Sequence, residues 1–236
     1  MFLDPYFEQQ NQQIVISAEQ ASAFAKDVAG DFNPIHNVDS KRFCVPGDLL
    51  FAVVLSHYGL SQSMSVRFSG MVGADVPLIL PSQDTGTIDI LDTAGKAYLH
   101  VEHAGDTSHD AAQIEAFTRE YVSFSGQNFP FIMVPMMDAK GVMFNPKRPL
   151  VIYESMAFEL SSIDFQAPKL ELAGTELTIN GRRGDAEFRF NITAQGKTVG
   201  TGIKNLIISG LQPFNGEEMD AVIHDFNAAK DAYLKR

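Results

Sequence analysis

The chain has 236 residues, 45% hydrophobic and 20% charged, enough for one large well-cored domain or two of roughly 100–120 residues. A formal net charge of −11 argues against broad nucleic-acid binding, because a polyanion would be repelled. Cys44 is the only cysteine, which excludes an internal disulfide and a multi-cysteine zinc site and points to a reducing, cytoplasmic setting.

The opening MFLDPYFEQQ has no basic residue ahead of its apolar ones and carries Asp4 and Glu8, so it does not read as a signal peptide. A first helix is expected from Ser17, which stands at capping-box spacing from Gln20. Ala21, Phe24, Ala25 and Val28 form its apolar face, and Gly30 suits the left-handed turn that ends it. The segment Gly30-Asp31-Phe32-Asn33-Pro34-Ile35-His36 follows. Pro34 biases Asn33 away from helix, so Asp31 to His36 should lie on a tight loop.

A second helix is expected from about Gly47 to Ser61, apolar almost all round at Leu49, Leu50, Val53, Val54 and Leu55, as befits a helix buried in a core. Its apolar run Leu49 to Leu55 is far too short to span a bilayer. Four strand-like stretches come next: MSVRFSGM, DVPLIL, TIDIL and KAYLHVEH, separated by Gly, Pro, Asp and Ser turn signals. The order then recurs. Residues 109–125 read as a helix with Ile114, Phe117, Tyr121 and Val122 on one face. Pro149 reads as the first residue of another helix running to about Ser161, with Tyr153, Met156, Ala157 and Leu160 as core positions. The strands KLELA, ELTIN, AEFRFNITA and TVGTGIKNLIIS follow. Because SFSGQNFPF faintly echoes FAKDVAGDFNPI, the layout suggests a tandem repeat of one α+β unit. The tail from Gly216 to Arg236 reads as an amphipathic helix with Met219, Val222, Ile223, Phe226 and Tyr233 toward the body, and its acidic start and basic end suit the helix dipole.

The GDFNPIH segment, preceded by the small residue Ala29 and by an amphipathic helix, resembles the signature of the MaoC-like dehydratases, the (R)-specific enoyl-CoA hydratases (hydratase 2) of the hot-dog superfamily. The resemblance extends over residues 14–103, where MSVRFSGMVGADVPL is similar to the family's first long strand. It implies a tandem double hot-dog: antiparallel sheets each wrapped around a buried helix. Residues 1–107 would form the unit with the motif, 108–212 a degenerate second unit, and 213–236 a C-terminal helix. It also implies a lyase of fatty acid metabolism that adds water to a trans-2-enoyl thioester, giving the (R)-3-hydroxyacyl product. No cofactor is implied beyond the coenzyme A or acyl-carrier-protein moiety that carries the substrate. The implied partner is a small-molecule acyl thioester, with no nucleic acid and no membrane; a homodimer is left open.

The chemistry asks for the same residues. Hydration needs a base to take a proton from water and an acid to deliver one to the α-carbon. Asp31 and His36, on one stiff loop, can hold a water between them, with Asn33 as a brace. The residues do not decide which group donates. The enolate oxygen needs a donor, which the resemblance places at Gly47, at the start of the second helix. This chain has Pro46 where the family has a histidine, Asp48 behind Gly47, and Arg42 where a small residue is expected. Only nine residues lie between His36 and Pro46, where the family has a longer cover. Pro46, Asp48 and the shortened cover motivate one alternative, a non-catalytic acyl-thioester binder; a hot-dog thioesterase, where an acidic residue also activates a water, is a weaker second.

Given the acidic charge, a coenzyme A phosphate would need local cations, for which Lys41, Arg42 and Arg67 are the candidates; any one of them taken alone reads better as a solvated surface charge. His57 reads as a core histidine and Cys44 as a small buried hydrophobe. His100, His103 and His109 lack metal-site spacing, so no metal is expected. Met133, Met136, Met137 and Met143 could line an acyl tunnel or simply fill a core. In the second half Gln127 stands where Asp31 stood, and no histidine follows.

Overall fold

A computed structural model describes residues 2–82 and 85–235 of the chain. In chain order the elements are β1 (Glu8–Gln10), β2 (Gln13–Val15), α1 (Ala18–Phe24), α2 (Gly47–Tyr58), β3 (Leu60–Phe68), β4 (Leu78–Ile79), β5 (Thr87–Asp92) and β6 (Ala97–Ser108). They continue with α3 (Ala111–Gly126), α4 (Asn128–Phe131), α5 (Met133–Ala139), β7 (Val142–Met143), β8 (Val151–Leu160), β9 (Lys169–Asn180), β10 (Arg183–Ala194), β11 (Lys197–Ser209), β12 (Gln212–Pro213) and α6 (Gly216–Leu234).

Helix α1 starts where both halves of the capping box close: the Gln20 amide donates to the Ser17 hydroxyl at 3.2 Å, and the Ser17 amide to the Gln20 side chain at 3.0 Å. The helix then widens into a π-turn over Ala25–Ala29 and stops at Gly30 in the left-handed region, φ 67°. Helix α2 is buried from Asp48 to Leu55, and Leu49, Phe51 and Leu55 have no accessible surface. Truncating any one of these to alanine would cost about 2–5 kcal/mol. Phe51 lies edge-on to Tyr121 of α3 and to Phe158 of β8, at centroid separations of 4.8 and 6.4 Å.

The sheet around these helices is one antiparallel layer of ten strands, ordered β1-β2-β4-β5-β6-β3-β8-β11-β10-β9. From its middle the order repeats outward. β3 is flanked by β6, β5 and β4, and β8 by β11, β10 and β9, so the β3–β8 pair marks a pseudo-twofold seam. This repeat about the seam is the tandem double hot-dog arrangement with the two sheets fused edge to edge, and β7 and β12 pair as a separate two-stranded sheet. The buried residues fall into two clusters. One surrounds α2, and the other lies between α5, β9 to β11 and α6, with Tyr153 packed against both.

Three sequence expectations change. Residues 149–161 are not a helix but the seam strand β8. The β-branched and aromatic run Val151-Ile152-Tyr153 favours strand, and its core positions Met156, Phe158 and Leu160 follow a period of two; Ala157 is only half-buried. The second half's counterpart of α2 is instead the short α5, whose Met133, Met136 and Met137 are buried. KLELA and ELTIN are one strand, β9, passing through Gly174 opposite a register shift in β10. The tail is helical as expected, with Met219 buried. Arg236, placed in its basic end from sequence, lies outside the described residues. Among the described residues no helix is long and apolar enough to cross a membrane.

Candidate active site

The π-turn and the Gly30 stop turn the chain sharply into the motif loop, whose first amide, on Asp31, donates back to the Ala25 carbonyl at 2.8 Å. The loop then braces itself. Asp31 Oδ1 accepts from the Asn33 amide at 2.8 Å, and Asn33 Oδ1 accepts from the Ile35 amide at 3.1 Å, capping a single 3₁₀ turn over Pro34–His36. Asn33 thus braces the loop through its Oδ1. Phe32, 4% exposed, meets Phe226 and Tyr233 of α6 edge-on at 6.0 and 5.7 Å. The Tyr233 hydroxyl donates to Asp27 Oδ1 at 2.8 Å, so α6 clamps both the π-turn and the loop it launches.

His36 and Asp31 face one another, with Nε2 3.6 Å from Oδ2. The other imidazole nitrogen, Nδ1, lies 2.6 Å from the Cys44 carbonyl. A carbonyl only accepts, so Nδ1 carries a proton, and Nε2 is the ring nitrogen turned to Asp31. Asp31 Oδ1 is occupied by the Asn33 amide, which leaves Oδ2 as the free carboxylate oxygen. Nε2 and a carboxylate oxygen thus converge on one point, where a water can be held between an imidazole and a carboxylate.

Both side chains line a cavity of about 580 Å³. Its walls come from the motif loop, the start of α2, the end of β3, the α3–α5 turn, β8, β11 and α6, so both halves of the chain build it. Phe129, Met133, Phe144, Ile152, Leu206 and Phe226 give it an apolar body. At the start of α2, Pro46 is the N-cap residue and no side chain caps the helix. Gly47 lies against Phe68 and Tyr153; a Cβ there would come within 2.8 Å of the Tyr153 ring.

A buried polar cluster at this cavity went unseen in the sequence. The Ser125 hydroxyl donates to Asp48 Oδ2 at 2.6 Å and accepts from the Lys204 ammonium. Lys204 Nζ also stands 3.9 Å from Asp48 Oδ1 and 4.0 Å from the centre of the Tyr153 ring. The Tyr153 hydroxyl is hydrogen-bonded to that of Tyr121. Burial pushes the Asp48 carboxyl up, against the pull of Lys204 and Ser125, and pushes the Lys204 ammonium down, against the pull of Asp48. Asp48 feels Asp31 and His36 electrostatically, and Lys204 feels Asp31, so cluster and pair share one field. The negative charge expected behind Gly47 is thereby compensated from across the seam. A signal for this was present: Lys204 shares its strand face with Leu206 and Ile208, an inward position where a lone cation must find a partner.

Other sequence candidates stand apart. Lys41 and Arg42 are exposed, on the loop between the cavity residues Asn37 and Cys44 but not in the lining, and Arg67 is exposed on β3, opposite His100 and Ser155. His57 is exposed rather than in the core, and its ring lies against Tyr58. His100 pairs with Asp89 at 2.7 Å, and His103 lies 3.0 Å from Ser61, each partnered separately. The Cys44 thiol lines the cavity and donates to the Val45 carbonyl at 3.2 Å; burial pushes it up to about 11. Of the four methionines, Met133 lines the cavity, whereas Met136, Met137 and Met143 fill the second core cluster.

A family model described as "Protein of unknown function (DUF3581)" matches residues 1–217. No curated protein matches the chain. Among solved structures the chain is similar to a conserved hot-dog protein of unknown function from Alicyclobacillus acidocaldarius, with 10% identity, TM-score 0.47, and 91% of this chain and 99% of that one covered. It is also similar to a MaoC-like dehydratase at 10% identity and TM-score 0.43, covering 87% and 98% of the two chains. A third is the peroxisomal multifunctional enzyme type 2 of Drosophila melanogaster, at 11% identity and TM-score 0.43, with 85% of this chain and 48% of that one covered.

Proposed function

The chain belongs to the DUF3581 family, whose function is unknown, and from that premise we propose that it reversibly hydrates a trans-2-enoyl thioester to the (R)-3-hydroxyacyl thioester. The observation that carries the reading is the Asp31–His36 pair: an imidazole with Nδ1 fixed as donor and Nε2 turned to a free carboxylate oxygen 3.6 Å away, both opening on an apolar cavity. In the hydration direction, a water held between Nε2 and Oδ2 gives a proton to the pair while its oxygen bonds to the β-carbon. The π electrons of the double bond move toward the thioester carbonyl as an enolate. The α-carbon then takes the same proton back from the pair, and the enolate collapses to the product. Water is the only other reactant, and no change of overall oxidation state enters the balance.

The test is hydration of crotonyl-CoA by the wild type, Asp31→Asn and His36→Ala. The expected result is turnover in the wild type and a loss of about 10²–10⁴-fold in each variant. Equal rates in all three would remove the assignment. Release of free thiol without hydration would move it to a thioesterase, and calorimetric binding of an acyl-CoA without either reaction to a binding protein.

A further inference from the structure

Hydration through an enolate needs more than a base. Negative charge must collect on the thioester oxygen, and in an apolar cavity that charge is costly unless a donor is already aimed at it. We infer that Lys204, reaching across the seam from β11, is a catalytic residue that donates a hydrogen bond to the thioester oxygen and stabilises the enolate; the inference rests on the proposed hydration and names a further group that the reaction uses.

Three observations carry it. Lys204 lines the same cavity as Asp31 and His36, alongside the start of α2. An ammonium has three donors. One is taken by Ser125 Oγ and one face is covered by the Tyr153 ring, while Asp48 Oδ1, at 3.9 Å, is beyond hydrogen-bond length. Donor capacity is therefore unspent. Finally, Lys204 is 3% exposed, and a cation held at a dry site acts far more strongly on a nearby oxygen than it would in water. Ser125 bridges Lys204 to Asp48 and so holds the ammonium in place beside the start of α2. A buried ion pair that only held the seam together would not need to line the cavity.

The experiment separates this role from folding and from the Asp31–His36 chemistry. Acetoacetyl-CoA, a β-ketoacyl thioester that cannot be hydrated in the same way, forms an enolate with a near-ultraviolet band. The band is recorded on saturating protein for the wild type, Asp31→Asn, Asp48→Asn and the double variant Asp48→Asn/Lys204→Met, which leaves no unpaired buried charge. The expected result is a strong enolate band in the first three and its loss in the double variant, with folding confirmed by circular dichroism. Crotonyl-CoA hydration should fall about 10²–10³-fold from Asp48→Asn to the double variant, mainly in kcat. An equal band in the double variant, or none in a wild type that binds acetoacetyl-CoA, overturns the inference. Enolate formation in a wild type that does not hydrate crotonyl-CoA would sink the proposed function while leaving Lys204 its role. Hydration without any enolate band would do the reverse.

Discussion

Lys204→Met replaces the buried ammonium with a side chain of similar length and leaves Asp48, which is 7% exposed, as a carboxylate without its cation. Breaking a buried pair by removing one partner costs about 3–5 kcal/mol, whereas removing both with a close-fitting replacement costs far less. The Ser125 hydroxyl, which donates to Asp48 at 2.6 Å in the wild type, is untouched by the substitution, so the loss should sit toward the lower part of that range. The penalty must also depend on pH. Burial already raises the Asp48 carboxyl, and losing Lys204 removes the strongest opposing pull. With the folded-state value above the unfolded one, the native state binds the extra proton. Stability then falls as pH rises from just above the ordinary carboxylate value toward the raised one, and is flat beyond. Urea unfolding of the wild type, Lys204→Met and Asp48→Asn/Lys204→Met at acid and neutral pH measures this. The single variant should lose about 3 kcal/mol at neutral pH and much less in acid, and the double variant should recover most of the neutral-pH loss. A single variant that loses under about 1 kcal/mol at neutral pH, or whose loss does not change with pH, would show that the pair is not the compensated buried charge described here.

Two further outcomes follow from the same geometry. At Gly126 a Cβ would lie 1.9 Å from the Ala29 carbonyl oxygen, a contact no side-chain rotation relieves. Gly126→Ala should therefore push the π-turn back, lower stability by about 1–3 kcal/mol in thermal melts, and reduce hydration by misplacing Asp31; unchanged melting and rate would refute the contact. The Cys44 thiol, pushed up to about 11 from 9.0, should react with iodoacetamide at pH 8 roughly 100-fold more slowly in the folded protein than in urea, because only the thiolate reacts. Comparable rates would show an accessible thiol.

What was legible in the sequence was local. Ser17, Gln20 and Gly30 bracket α1 because caps and left-handed stops act within a few residues, and AEFRFNITA reads as strand because its alternation is undisturbed. The motif loop was equally readable, since Asn33-Pro34 fixes its backbone and brings Asp31 and His36 to one side. Residues 149–161 carry two competing local signals, a proline that suits a helix start and a β-branched, period-two run that suits a strand, and pairing with β3 and β11 on both sides decides between them. The polar cluster was hidden for the same reason. Asp48, Ser125 and Lys204 lie far apart in the chain and meet only because the sheet closes across the seam. Asp48 alone looked like a misplaced charge at a helix start; beside Lys204 it is one end of a compensated pair.

The most direct test of the account is a crystal structure with a non-hydratable enoyl-CoA analogue in the cavity. The expected density shows the β-carbon beside a water held by His36 Nε2 and Asp31 Oδ2, the thioester oxygen at Lys204 and the Gly47 end of α2, and the acyl chain running toward Phe129 and Phe226. An analogue seated with its thioester away from the Asp31–His36 pair would contradict the hydration assignment.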